Sequence, residues 1–357
     1  MISKAGKGLG KSEEKNAYVL LLPTLVIIIA IAVYPLGSVV VDSLTDKQIA
    51  SSEEPNFVGL NNYISLLSMT IVELPPKTTD AGEIERDPET GEIEYMSPVQ
   101  ILPREPVRFK ELNTFSLFGN KYVLGATDPD FLQAVFDTIV FVVVSVFLET
   151  VIGLAVALVL NKSFKGRGAM RAVMLIPWAV PTAVSSRMWE YMFTSTRAGF
   201  FNTLGDYLGM SGGNYAFIAE PAAQLWVMIA IDTWKTIPFM SLLLLAGLQM
   251  IPKDMYEAAE VDGASTVRQF TSMTLPLLKP TLTVALVFRT LDALRVFDLF
   301  QIIFGEKRFS MASFTYYELV SNSQMGYAAA SSVIIFLIIM IFVLFYVRMI
   351  GVGGQNE

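Results

Sequence analysis

The richest concentration of ligand-binding side chains in this sequence is the stretch DTWKTIPF, which begins at Asp232. On a helix, Asp232, Lys235 and Phe239 share one face because they are spaced i, i+3 and i+7. Thr236 lies one turn after Asp232, and Trp234 flanks the same face. A carboxylate, an ammonium group and a hydroxyl can bond ligand hydroxyls, while an aromatic ring can stack on the apolar face of a sugar. The spacing therefore predicts a binding site for a small carbohydrate.

The same two charges also have a structural interpretation. Asp232 and Lys235 can neutralise each other between packed helices, because buried charges are normally paired. In that case the pair contributes to folding and not to ligand binding.

A second group of candidates lies in the stretch RTLDALRVFD, where Arg289, Asp292, Arg295 and Asp298 alternate in sign at three-residue steps. Opposite charges at i and i+3 on a helix can satisfy one another. We therefore expect the last three to be structural and keep Arg289 as a candidate ligand. Ser185, just after the stretch LIPWAVP, is a further candidate contact.

The composition excludes most catalytic chemistry. The 357 residues include no Cys and no His, so thiolate nucleophiles, disulfides and the commonest metal ligand are missing. We expect no metal site, no zinc enzyme and no Ser-His-Asp hydrolase. The net charge is −7 and no basic patch indicates nucleic acid. We also expect no cofactor in this chain, because the phosphate-binding pattern GxxxxGK[ST] is absent from the sequence.

The chain has the hydropathy of a membrane protein, with 53% hydrophobic residues and a mean hydropathy of +0.51. Six stretches reach the length of roughly 20 apolar residues that crosses a bilayer, at about 17–42, 131–160, 169–193, 219–248, 278–304 and 327–349. They predict an all-α membrane protein with six transmembrane helices. The middle four contain ionisable residues, which face protein or water in membranes. We therefore expect those four to form the core.

Lys and Arg residues in short loops predict the orientation of the spans. They concentrate in the tail of residues 1–16 and in the loops after the second and fourth spans. Both termini, including residues 351–357, are therefore expected on the cytoplasmic side of a bacterial cell membrane. The first apolar run, within 17–43, is too long for a removable signal peptide.

This topology places residues 44–130 outside the membrane. They carry 15 acidic and 7 basic residues, a net charge of −8. The stretches GEIERDPETGEIEYM and FSLFGNKYVLG have alternating arms around turn residues and predict β-hairpins. We expect a small extracytoplasmic β-rich lobe at about 70–126, with a flexible acidic loop as the alternative.

The polar segment between the fourth and fifth spans predicts a helix–turn–helix elbow. Residues 255–261 favour a helix with Asp254 as its N-cap, and Gly263 permits a turn. A second short helix is expected over 265–273, before Pro276 resets the chain ahead of the next span. The simpler interpretation is an ordinary connector between two helices.

The elbow resembles the EAA motif of ABC importer permeases. The stretch EAAEVDGA and the later LPLLKP match that motif at the following positions: Glu257, Ala258, Ala259, Asp262, Gly263, Ala264, Phe270, Leu275, Pro276 and Pro280. The resemblance implies that residues 249–277 couple the spans to an ATPase subunit. Glu257 would pair with a basic residue of that subunit, and Gly263 would allow the bend.

Other stretches are similar to sugar-importer permeases of this family. They are FVGLNNYISLL, DPDFLQAVFDTIVF, LIPWAVP and DTWKTIPFMSLLLLAGLQMIP, and the last two resemble the larger permease of maltose transporters. The resemblance covers nearly the whole chain except the inserted lobe and the tails. It implies a permease core over 131–350 and four kinds of partner: a second permease, an ATPase dimer that binds ATP and Mg, an external sugar-binding protein and membrane lipid.

The sugar contacts of that family fall on the five residues of DTWKTIPF named above. Two of these residues depart from the family pattern, because Asp232 replaces an amide and Lys235 replaces an apolar residue. In the fifth span the contact positions fall on Arg289, Ala293 and Val296, so two polar contacts are lost. We therefore expect a permease for a disaccharide or oligosaccharide, such as the α-glucosides maltose or trehalose. Its contacts to the sugar should differ from those that the maltose permease makes.

Three alternatives remain open from the sequence. The first is an ABC permease for a polyol or glycerol phosphate. The second is an ion-coupled secondary transporter in which Asp232, Asp292 or Glu149 carries protons. The third is a structural membrane component without a solute path, which the charges in the middle spans disfavour. In none of these readings is the chain itself an enzyme.

The topology makes a direct prediction, which the absence of native Cys keeps free of background. A cysteine introduced at Thr90 should react with an impermeant thiol reagent added to intact cells, because this residue is expected outside. A cysteine at Ser163 should react only after the cells are opened. Labelling of Ser163→Cys in intact cells would contradict the orientation.

Overall fold

The structure is a computed structural model that describes residues 6–79, 82–88, 90–196, 199–209 and 215–350. The chain forms two compact units, which are described separately below. The first unit comprises residues 1–65 and 318–334, and the second comprises residues 66–317 and 335–357. The expected tail 351–357 and the first part of the tail 1–16 lie outside the described residues.

The first unit begins with a long apolar helix that is interrupted by a wider turn. Helix α1 (Gly6–Ile28) continues through a π-helical turn, Ile29–Val33, into α2 (Tyr34–Asp42). In the π-turn the backbone N–H of Tyr34 donates to the carbonyl of Ile29, five residues earlier. Pro35 follows directly, has no N–H and clashes with the preceding turn, which accounts for the widening.

The segment after α2 is held by local hydrogen bonds within the first unit. The Asp46 carboxylate accepts from the backbone N and from Nδ2 of Asn56, at 2.6 and 3.0 Å. These bonds hold the pKa of Asp46 below its usual value, because they favour the charged form. The N–H of Gly326 donates to the carbonyl of Lys47 at 2.8 Å, so this segment is tied to the second stretch of the same unit, residues 318–334.

The remaining elements are, in chain order, α3 (Asn61–Leu67), β1 (Met69–Leu74), α4 (Pro98–Ile101), β2 (Lys110–Leu117), β3 (Asn120–Ala126), α5 (Pro129–Asn161), α6 (Arg167–Met174), α7 (Ile176–Ala179), α8 (Thr182–Met192), α9 (Phe200–Tyr207), α10 (Pro221–Gln249), α11 (Lys253–Val261), α12 (Thr266–Gln269), α13 (Leu275–Ala293), α14 (Asp298–Ile303), α15 (Met311–Val320) and α16 (Met325–Ile350).

The acidic region expected to form a lobe contains a three-stranded antiparallel sheet in the order β1-β3-β2. Strands β2 and β3 form the hairpin predicted in FSLFGNKYVLG, with a turn at Phe118 and Gly119, whose φ angles are +51° and +89°. The other predicted hairpin forms as a short ladder without regular strands, with a bridge between Arg86 and Ile93. The N–H of Asp87 donates to the carbonyl of Glu92 at 2.9 Å, and the N–H of Glu94 donates to that of Glu85 at 3.0 Å. The sheet packs on a small core, since Leu102 and Val123 are buried with Leu74.

The second unit is built on three long helices, α5, α10 and α13. Helix α5 begins with Asp128 as its N-cap, whose carboxylate accepts from the N–H of Phe131 at 3.0 Å. Helix α10 packs along α5, with one apolar cluster around Phe141 and Met228 and another around Leu160 and Leu244. Helix α13 packs on both α5 and α10.

Four helices in the described chain are long and apolar enough to cross a membrane: Glu14–Asp42, Pro129–Asn161, Pro221–Gln249 and Met325–Tyr346. The single helix expected over 169–193 is wrong, because Pro177 and Pro181 divide it into α6, α7 and α8. The single helix expected over 278–304 is also wrong, because α13 ends at Ala293 and α14 starts after a short turn.

The elbow begins two residues earlier than expected. Helix α11 starts at Lys253 with Pro252 in the N-cap position, so the N-cap predicted at Asp254 is wrong and this residue lies in the first turn. The helix ends in a Schellman motif. The N–H of Ala264 donates to the carbonyl of Ala259 at 2.9 Å, and Gly263 adopts a left-handed φ of +76°.

The second limb of the elbow is continuous with the following long helix. Ser265 is the N-cap of α12, which runs through a π-turn, Phe270–Thr274, directly into α13. The break predicted at Pro276 is therefore wrong, because the widened π-turn before this proline accommodates its ring without interrupting the helix. The hydroxyls of Tyr256 and Thr274 lie 2.9 Å apart and join the two limbs.

Candidate functional site

A cavity of about 700 Å³ opens in the second unit between α10, α13 and the broken segment α7–α8. Its polar and charged lining comes from all three elements and from the turn after α13. Six of the seven candidate contact residues line it: Ser185, Asp232, Lys235, Thr236, Phe239 and Arg289. The helix face predicted from the spacing of Asp232, Lys235 and Phe239 therefore faces one continuous space.

The polar floor of the cavity is organised by Arg289, whose side chain is only 3% exposed. Its Nε and Nη2 atoms donate to the two carboxylate oxygens of Glu149 at 2.5 and 2.9 Å. Nη2 also donates to Asp232, and Nη1 donates to Asp292 at 2.9 Å. One guanidinium thus bridges α5, α10 and α13, and three carboxylates take up its donors.

The proposed neutralisation of Asp232 by Lys235 is wrong. Asp232 is paired with Arg289, which lies on a different helix. The Lys235 ammonium group instead donates to the carbonyl oxygen of Val180 at 2.6 Å. That carbonyl is at the break between α7 and α8, where no helical N–H is available to satisfy it. Lys235 therefore stabilises the irregular backbone of one cavity wall.

The aromatic wall of the cavity is a stacked pair, Trp178 and Phe239, with ring centroids 6.2 Å apart and planes inclined by 17°. Trp178 is 53% exposed and presents an open ring face. It was not among the sequence candidates, although it lies within LIPWAVP. An aromatic residue between two helix-breaking prolines was the available signal.

Trp234 is the one candidate outside the cavity lining. Its ring contacts Trp189 edge-on, at a centroid distance of 5.2 Å. It lies two positions after Asp232, which on a helix turns it well away from the face that Asp232 shares with Phe239.

Two further candidates, Ser185 and Thr236, are buried side chains of the cavity wall. Ser185 is fully buried and its hydroxyl donates to the carbonyl of Thr182 at 3.0 Å. Thr236 is 8% exposed.

The charge ladder predicted in RTLDALRVFD forms only at its first step, between Arg289 and Asp292. Helix α13 ends at Ala293, so the residues that follow leave the helical register. Arg295 instead donates from Nε to the carbonyl of Leu291 at 3.2 Å. On α8, Arg187 and Glu190 form a separate ion pair at 2.7 Å.

The candidate coupling residues, from Glu257 to Ala264, lie along α11 and in the turn that ends it. Glu257, Ala258 and Asp262 are exposed, and Ala259 and Ala264 are half-buried. Val261, also on this surface, is 88% exposed. The elbow thus presents a mixed acidic and apolar surface.

The comparisons with known proteins identify the family. The family described as binding-protein-dependent transport system inner membrane component matches residues 149–351. The chain belongs to this family. It is therefore an inner-membrane permease component of the ABC transporter type, which favours ABC import over the ion-coupled alternative.

Two relatives from the same family cover most of the chain. The trehalose/maltose transport system permease protein MalF of Thermococcus litoralis is 46% identical over 225 residues, covering 61% of this chain and 74% of that protein. The trehalose transport system permease protein SugA of Mycobacterium tuberculosis is 29% identical over 347 residues, covering 97% of this chain and 92% of that protein.

The fold agrees with a solved structure of a bacterial alginate ABC transporter in complex with an alginate pentasaccharide-bound periplasmic protein. One chain of that transporter superposes with a TM-score of 0.67 and covers 97% of each chain, at 18% sequence identity. At this identity the likeness shows a shared fold alone.

The separate partners of Asp232 and Lys235 lead to a stability prediction. Asp232→Asn and Lys235→Met should lower the melting temperature of the purified permease with little coupling between them, because each residue has its direct partner elsewhere. A coupling energy between about 0.5 and 3 kcal/mol is instead expected for Asp232→Asn combined with Arg289→Met, which serves as the positive control. Coupling between Asp232 and Lys235 of the same size would contradict the observed pairing.

Proposed function

We propose that this chain is a permease subunit of an ATP-dependent importer for a disaccharide or oligosaccharide of the trehalose/maltose type. The observation that carries the proposal is the cavity, in which carboxylates and an ammonium group face a stacked aromatic pair. A sugar presents hydroxyls at its rim and apolar C–H groups on its ring faces, so it needs both kinds of surface. The identity to trehalose/maltose permeases supports this substrate class.

The charged side chains that line the cavity are compatible with a sugar-binding site inside a membrane domain. Charged side chains in spans are costly unless they are paired or line a watery cavity. Here Arg289 and Asp232 do both, since they pair with each other and line the cavity. A polar ligand that replaces water in this space keeps these groups hydrogen-bonded.

The broken segments suit a translocation path. We propose six membrane crossings, with α6–α8 as the third and α13–α14 as the fifth. Irregular backbone is tolerated at membrane depth where it lines a cavity and not lipid. The break at Val180–Pro181 lies in the cavity lining, and its free carbonyl is satisfied by Lys235. Both termini lie in the cytoplasm in this proposal.

The proposed partners are a second permease, two ATPase subunits and an external sugar-binding protein. The elbow is the proposed ATPase contact, through Glu257, Ala258, Ala259, Asp262, Gly263 and Ala264. Its second limb continues without interruption into α13, which carries Arg289. Movement of the elbow is therefore transmitted to the cavity floor along one helix. The acidic lobe is proposed to help seat the binding protein or the second permease.

The transport proposal is tested by uptake of labelled trehalose and maltose into cells that express the complete transporter. Uptake should require the ATPase subunits and should continue when a protonophore collapses the proton gradient while cellular ATP is kept high. A transporter in which the Walker lysine of the ATPase is replaced is the control. Uptake that stops with the gradient at unchanged ATP would instead support an ion-coupled transporter.

The aromatic wall makes a prediction about affinity. Trp178→Ala should raise the KM for sugar by roughly tenfold, because a stacking surface is removed from the cavity. Trp234→Ala is the matched control, since this ring packs against Trp189 outside the cavity. It should lower the melting temperature while changing the KM little. The reverse pattern would place the sugar against Trp234.

The elbow makes a prediction about coupling. Glu257→Ala with Gly263→Pro should leave the permease in the membrane but abolish ATPase association and uptake. Proline fixes φ near −65°, whereas residue 263 needs a φ of +76° and donates its N–H to Glu260. Association is measured by co-purification of the ATPase. Gly119→Pro, another left-handed glycine but in the sheet hairpin, is the control and should retain it.

A further inference from the structure

Glu149 occupies an unusual place behind the cavity. It lies in the middle of α5, is completely buried and does not line the cavity itself. Both of its oxygens are engaged by Arg289, at 2.5 and 2.9 Å. A two-point contact between a guanidinium and a carboxylate fixes the plane of the guanidinium as well as its position. Glu149 therefore determines how Arg289 enters the cavity floor.

Arg289 uses its other donor directions for the two carboxylates that do line the cavity. It bonds Asp232 on α10 and Asp292 one turn further along α13. In each case the contact is to Oδ2, so the guanidinium leaves the other oxygen of that carboxylate unengaged. The two acceptors are thus held on either side of one rigid, planar group.

The number of charges indicates that Glu149 is more than a counter-ion. Arg289 has two buried carboxylates beside it, Glu149 at 0% and Asp232 at 14% exposure, whereas Asp292 is 75% exposed. One buried carboxylate suffices to neutralise one guanidinium. The second carboxyl group therefore has a role other than charge balance. If Glu149 were uncharged, Asp232 would become the principal buried partner of Arg289 and would turn towards it.

We propose that Glu149 is a positioning residue for the sugar site. It holds Arg289 against α5, and this keeps Asp232 and Asp292 oriented so that each can accept a hydrogen bond from a ligand hydroxyl. Arg289 itself donates to carboxylates and not to sugar. The inference rests on the proposed function, because it assigns the floor of the same cavity to hydroxyl recognition.

The first test uses Glu149→Gln, which keeps the shape of the side chain and removes its charge. The KM for trehalose or maltose should rise roughly tenfold, as for the loss of one charge-assisted hydrogen bond, with a maximal rate within about twofold. The protein should still accumulate in the membrane, since the Arg289–Asp232 pair remains neutral. An unchanged KM would overturn the proposal.

The control is Asp137→Asn, on the same helix. Asp137 is equally buried and makes an equivalent two-point contact with Arg308, at 2.6 and 2.8 Å, but it does not line the cavity. This change should alter protein amount or melting temperature and leave the KM unchanged. An equal rise in KM in Asp137→Asn would show that any buried charge lost from α5 has this effect, and would overturn the specific role.

A double-mutant cycle separates positioning from a direct contribution. If Glu149 acts through the carboxylates that it orients, the KM of Glu149→Gln with Asp292→Asn should be lower than the product of the two separate increases, since one oriented group is already altered. Asp232 remains in this double variant and still neutralises Arg289. If the increases in KM of the two single variants simply multiply in the double variant, Glu149 does not act through these carboxylates.

A thiol-labelling experiment that needs no sugar tests the role of Glu149 independently of the proposed substrate. Val296→Cys places a single thiol in the cavity lining of a chain without native Cys. We compare the labelling rate of this thiol by a cationic thiosulfonate with its rate by an anionic one. The cationic-to-anionic ratio should fall about threefold in Glu149→Gln, because a released guanidinium makes the cavity less negative. It should not change in Asp137→Asn. If the wild type takes up neither sugar, the proposed substrate is wrong, and the labelling ratio still tests the role of Glu149. An unchanged labelling ratio in Glu149→Gln would overturn that role.

Discussion

The buried guanidinium of Arg289 is the constraint around which the membrane core is arranged. A charge in this position must be neutralised and fully hydrogen-bonded, because desolvation in a span costs more than any single contact returns. The surrounding residues meet this need from three directions, with Glu149 on α5, Asp232 on α10 and Asp292 on α13 itself. The three helices that carry the apolar core are therefore also joined at one polar point.

The irregular backbone of the cavity wall follows from proline placement and is stabilised by side chains from elsewhere. Pro177 and Pro181 prevent a continuous helix, and the exposed carbonyl of Val180 would be costly without a donor. Lys235 supplies that donor from α10. The same break leaves Trp178 free to stack on Phe239 and to face the cavity. One helix break thus produces both an aromatic surface and a fixed ammonium group.

The path from the elbow to the cavity depends on another proline effect. Pro276 lies two residues after the π-turn Phe270–Thr274, in the same relation that Pro35 has to the π-turn Ile29–Val33. A widened turn accommodates the proline ring and preserves the helix on both sides. The chain therefore changes its helical register near the elbow without losing continuity, and α12 and α13 form one continuous element.

The sequence by itself determined the membrane class, the helix face of Asp232, Lys235 and Phe239, the hairpin at Gly119 and the turn at Gly263. These features depend on hydropathy, on spacing within a few residues or on the conformational freedom of one residue. Only the tertiary structure decided the partners of the charges and the continuity of α12 with α13. Glu149 and Arg289 are 140 residues apart, and no local periodicity relates them. Asp232 had a plausible partner three residues away, but the guanidinium offered a better one, because it brings several donors to the carboxylate in a fixed, planar geometry.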